Sequence, residues 1–163
     1  RMRNCLRQKA DTRSCLSYRL QGTGEITNSF NFLEVTMKQR STFLALSGGL
    51  GILFGLPQLL MPAQMVSTFA MELTPGGILF VRSLGGMILC VSLMNWLARH
   101  AEDSPALRAI LYGNLCIHVI GTVIDVLGVT SGAGGPQAWG SVVLHVILSG
   151  FFAKFAFAKI QQV

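Results

Sequence analysis

One run, Leu107 to Val129 (LRAILYGNLCIHVIGTVIDVLGV), limits the possible folds more than any other stretch of the chain. It is long enough to cross the ~30 Å hydrocarbon core of a bilayer as a helix. Yet it carries Asn114, His118 and Asp125. At about 100° per residue these three and Gly121 fall within roughly a 60° arc of one helix face. Ionisable groups inside a membrane helix turn toward protein or water rather than lipid. The stripe therefore predicts the inward face of a small helical bundle.

Three other runs match it in length. Thr42 to Met61 holds no charge, and Pro75 to Ala98 and Trp139 to Phe157 are similarly apolar. Only 12% of the chain is charged, about half the share in a soluble domain, and the mean hydropathy is +0.53. These values exclude an ordinary soluble domain. The expected fold is all-α, a bundle of four transmembrane helices over about 42–61, 75–98, 107–129 and 139–157 of a 37–163 domain. Ser104 and Pro105 suit the cap and first position of the third helix. Trp96 and Trp139 suit interfacial anchors.

Charge placement supplies the threading. The formal charge is +6 overall, but from Met37 onward seven basic residues face four acidic ones. Lys38 and Arg40 precede the first span, Arg99 and Arg108 bracket the second turn, and Lys154 and Lys159 close the fourth span. Four crossings put all six on one side, and the opposite connections hold only Glu72. By the positive-inside rule both termini are expected to be cytoplasmic. Basic residues gathered at helix ends read as topology, so nucleic acid is not an expected partner. The lipid bilayer is, and a bacterial cytoplasmic (inner) membrane is the expected location.

Residues 1–36 differ sharply from the rest of the chain, being polar and without a sustained apolar period. Met37-Lys38-Gln39-Arg40 ahead of an apolar run resembles a natural start, so 1–36 is expected to be a non-native or disordered extension. An Arg-rich transit peptide is the rival, since the first 20 residues hold six basic residues and one acid.

Several residues are candidates for helix contact or chemistry. Ser47, Gly51 and Gly55 recur every four residues, a small-residue stripe for close helix approach. Gly86, on the face of Arg82, and Gly121 are further packing candidates. With Pro75, Val129 and Trp139 as outer ends, the helical rise puts Arg82 roughly 10 Å deep, Asp125 about 6 Å and His145 about 9 Å. These three are expected to form an intramembrane polar cluster, with Arg82 paired to Asp125 and His145 on the same carboxylate. Asn114 and His118 form a secondary stripe, His118 at roughly 16 Å. The cluster reads either as an ion pair fixing helix register, as a pocket for a headgroup, quinone or small ligand, or as part of a proton path.

No cofactor is expected outright; haem and quinone are those to consider. Joint haem ligation by His118 and His145 is disfavoured by their ~7 Å difference in depth. No compact metal-binding cluster is apparent. Cys5, Cys15, Cys90 and Cys116 form no C-x-x-C, so buried space-filling thiols are expected.

The segments FVRSLGGMILCVSLMNWLAR, YGNLCIHVIGTVID and WGSVVLHVILSGFF resemble the uncharacterised bacterial four-helix membrane proteins grouped near the DoxX-like families, over about Phe43 to Phe157. The shared features are an Arg-x-x-Gly helix, a His followed by Asp seven residues on, and Trp-Gly before the last span. That resemblance implies a small integral membrane protein mostly without assigned activity, some members being similar to subunits of quinone-linked oxidoreductases. Other classes lack their signatures. There are no paired outer-loop cysteines for a thiol oxidase, no first-span glutamate for a small multidrug antiporter, and no H-E-x-x-H. A non-enzymatic accessory or structural membrane protein is the leading expectation. A subunit of a quinone-linked redox system and a small dimeric transporter with Asp125 as coupling carboxylate are the alternatives. A homo-oligomer or larger membrane complex fits each.

Overall fold

Hydroxyl caps start two of the long helices where the sequence places proline. Thr74 Oγ1 accepts the Gly77 N–H at 3.2 Å, and Ser104 Oγ accepts the Leu107 N–H at 3.2 Å. Each satisfies a first-turn donor that has no intrahelical partner. The computed structural model describes residues 12–69 and 72–158, with side chains from Glu34 onward. Its helices are α1 (Thr12–Leu60), α2 (Pro62–Ser67), α3 (Pro75–Ala98), α4 (Pro105–Thr130) and α5 (Ala138–Ala156). The described residues contain no strand.

Four segments are long and apolar enough to cross a membrane: Glu34–Leu60, Pro75–Ala98, Pro105–Thr130 and Pro136–Ala156. They coincide with the four runs expected from hydropathy. The chain forms two units, Arg1–Gln39 and Arg40–Val163. In the first, the backbone is helical from Thr12. Of the stretch 1–36, residues 1–11 lie outside the described ones. Lys159, one of the six topology-setting basic residues, also lies outside them.

Within the second unit the helices form a ring in the order α3, α1, α5, α4. In lipid there is little hydrophobic gain from bringing helices together, so close packing and interhelical hydrogen bonds decide the contacts. The α1–α3 contact is made by small residues. A Cβ on Gly85 would lie 2.7 Å from the Leu59 nitrogen and 2.8 Å from the Gly55 carbonyl oxygen, so the two backbones touch there. Gly51 faces Ser92 on the same seam. The stripe of Gly51 and Gly55 is thus consumed inside the chain. A Cβ on Gly86 would meet nothing within 4 Å, so Gly86 is not a packing residue of this bundle.

Aromatic contacts join α1 to α5: Phe43 lies 4.7 Å from Phe152 and 5.2 Å from Phe151, centroid to centroid. The apolar core is strongly lopsided. Leu44, Leu107, Leu111, Phe152 and Ala156 are almost wholly buried, with Ala98 and Phe155 beside them. All belong to the half of the bundle nearest the turn between α3 and α4. Toward the other end, few side chains are fully buried, and that half holds Asp125 and His145.

Candidate functional site

Two polar networks occupy the interior, one above the other along α4. The inner one joins three helices. Asn95 and Asn114 exchange two amide hydrogen bonds, each 2.9 Å. Asn95 also donates to Ser47 Oγ at 3.1 Å, and Asn114 to the Ile110 carbonyl at 2.9 Å. Every side-chain N–H of both amides is therefore used, which is what a buried amide in a low-dielectric interior requires. Ser47, expected only to pack, is a hydrogen-bond acceptor here. Asn95 was not among the sequence candidates; lying near the end of α3, it reads from sequence as an interfacial polar residue.

The outer network lies between α4 and α5. The antiparallel register sets Asp125 against Ser141 and Gly121 against His145. Ser141 Oγ donates to Asp125 Oδ2 at 2.5 Å, and His145 Nε2 lies 3.8 Å from the same oxygen. On its other side, His145 Nδ1 is 2.9 Å from His118 Nδ1. At that distance one ring donates its N–H and the other accepts, so the pair shares one proton. The His118 ring stacks on Phe152, centroids 5.4 Å apart and planes 18° apart. Asp125 and His145 side chains are each 26% exposed, and Ser141 and His118 are likewise half-buried.

The structure corrects the depth estimate for the two histidines. His118 is only one helical turn from Gly121, the residue opposite His145. A Cβ at Gly121 would lie 2.8 Å from His145 Cε1 and 2.9 Å from Nδ1. The imidazole thus lies against bare backbone and reaches across the turn to His118. Rise per residue measures Cα levels and misses this reach. Gly121 is a packing residue, as expected, but its packed partner is the His145 ring. At 2.9 Å the two Nδ1 atoms stand at hydrogen-bond distance.

Of the expected cluster, Asp125 and His145 are brought together and Arg82 is not. Arg82 is exposed, with no ion pair or hydrogen bond among the described residues. The cause is azimuthal. Near Arg82, α3 packs on α1 through Gly85, whereas Asp125 is turned toward α5 and held by Ser141. The depths of Arg82 and Asp125 agree while their helices face different neighbours. Ser141, on the other hand, is supplied by α5 and was not singled out from sequence. Two of the four thiols expected to be buried are corrected, since Cys90 and Cys116 are exposed; Cys5 and the side chain of Cys15 lie outside the described residues. Compared with known proteins, the chain matches no family model, no curated protein and no solved structure.

Proposed function

We propose that the protein is a proton-linked membrane carrier of a small cationic or hydrogen-bond-donating solute, with Asp125 holding either a proton or the solute. The 2.9 Å contact between His118 and His145, beside Asp125, carries this reading. A shared proton in that pair can shift when the charge on Asp125 changes, relaying the event one turn deeper without water. The partners of Asp125 favour it as well. It is met by a hydroxyl and an imidazole and by no arginine among the described residues. Mutually exclusive occupancy of one carboxylate is the simplest physical basis for coupling two ligands. The bundle end bearing Arg40, Arg99, Arg108 and Lys154 is placed on the cytoplasmic side, supported by the segregation of basic residues. Asp125 then lies toward the opposite face.

Vesicles containing the protein and a pH-sensitive dye, challenged with a panel of small amines and organic cations, test this directly. Wild type is expected to move protons in response to at least one of them, and Asp125→Asn to abolish the response while keeping its unfolding midpoint. A panel that moves no protons, with Asp125→Asn simply less stable, would mean that the polar residues only hold helix register.

A further inference from the structure

The end of the bundle farthest from Asp125 holds a second ionic cluster. Asp103, on the turn between α3 and α4, sits between two guanidinium groups. Arg40 Nη1 is 3.7 Å from its Oδ1, and Arg108 Nη2 is 3.6 Å from its Oδ2. Charge-assisted hydrogen bonds run at ~2.7–2.9 Å, so neither contact is one. The arginines instead donate to backbone carbonyls through Nη2, Arg40 to Ala101 at 2.9 Å and Arg108 to Ala158 at 2.7 Å. The Nε–H of each is buried and meets no acceptor among the described residues. Arg40 as a whole is 9% exposed. Two cations therefore share one loosely held carboxylate, leaving surplus positive charge and directed donors where the helices end.

An apolar groove of about 500 Å³ opens between α3 and α4 at the same turn. Leu93, Leu97, Leu107 and Ile110 line it, and Ala101 and Ser104 form its lower end. Ala101 belongs to both features, since its carbonyl is the acceptor for Arg40. From Ala98 the groove follows α3 to Cys90, about 12 Å of helix, along the direction an acyl chain takes in a bilayer.

We propose that this end binds one anionic phospholipid, with its phosphate on Arg40 and Arg108 and an acyl chain in the α3–α4 groove. Asp103 then acts as an internal competitor for the same donors. Guanidinium groups match phosphate oxygens in geometry as well as charge. A tetrahedral phosphate can accept from two arginines at once, which the Asp103 carboxylate does not achieve at its present distances. The surplus positive charge repels the ammonium of a zwitterionic headgroup, and so selects an anionic one.

The test uses the full chain in detergent, titrated with phosphatidylglycerol, phosphatidylcholine or inorganic phosphate, and read by native mass spectrometry and thermal unfolding. One phosphatidylglycerol per chain is expected to be retained, at least tenfold more tightly than phosphatidylcholine. Arg108→Gln is expected to remove that preference, and Asp103→Asn to tighten binding several-fold. Arg40→Gln is expected to act like Arg108→Gln, but its burial puts folding at risk. The deciding variants are therefore those of Arg108 and Asp103, whose side chains are 24% and 39% exposed. Equal retention of the two lipids overturns the proposal. So does a loss of binding in Asp103→Asn, which would make the carboxylate a required member of the cluster. Full displacement of the lipid by millimolar inorganic phosphate overturns it as well, because the groove would then contribute nothing.

Discussion

Gly121→Ala is the sharpest probe of the histidine pair. The added methyl would sit 2.8 Å from His145 Cε1, 2.9 Å from Nδ1 and 3.2 Å from Nε2, its three nearest atoms all belonging to the imidazole. Carbon atoms in ordinary contact are about 3.5–4.0 Å apart, so the ring must retreat by roughly 0.7 Å or more. A retreat of that size taken along the Nδ1–Nδ1 line opens the 2.9 Å separation beyond hydrogen-bond range. The lost bond is worth about 1 kcal/mol. If the ring cannot swing clear, overpacking adds ~1–3 kcal/mol. Gly113→Ala is the control, because a Cβ there meets nothing within 4 Å. Replacing a mid-helix glycine where space allows is neutral or stabilising by up to ~1 kcal/mol. Nitrogen-15 histidine spectra in lipid nanodiscs report the shared proton, and a reversible unfolding titration gives the stability change. The wild type and Gly113→Ala are expected to show one N–H shared between the two Nδ1 atoms, and Gly121→Ala two rings without that bond. A hydrogen bond between the rings surviving in Gly121→Ala at undiminished stability would show that the rings do not meet over this glycine.

Two further changes separate the networks. Asn95→Leu and Asn114→Leu each break the reciprocal amide pair and strand its partner. At ~0.6 kcal/mol per interhelical bond, with a maximum near 1.7, each costs about 1–3 kcal/mol. The double variant is expected to cost at least ~1 kcal/mol less than the sum, in a double-mutant cycle of unfolding; strict additivity would show that the amides do not pair. Arg82→Leu is expected to change stability by less than ~0.5 kcal/mol. Its coupling to Asp125→Asn should lie below about 0.5 kcal/mol, and a coupling of roughly 1 kcal/mol or more would reveal an ion pair.

Much of the architecture is legible in the residues alone. Spans near 42–61, 75–98, 107–129 and 139–157 follow from composition, because lipid admits only backbone that satisfies its own hydrogen bonds. Ser104 and Pro105 mark where α4 starts. The stripe Asn114, His118, Gly121, Asp125 does lie along the protein-facing side of one helix, since no other side tolerates such groups. What these residues touch was decided by the tertiary structure. Helical rise converts residue number into depth but contains nothing about azimuth. Asp125 therefore meets Ser141 and not Arg82, although Arg82 lies at a similar depth. Likewise Asn95 acquires its role only because α3 and α4 converge at that level. The meeting of His118 with His145 depends on something missing from a side chain, the Cβ of Gly121. Sequence periodicity places that glycine on the right face, and only packing against α5 shows which ring lies over it.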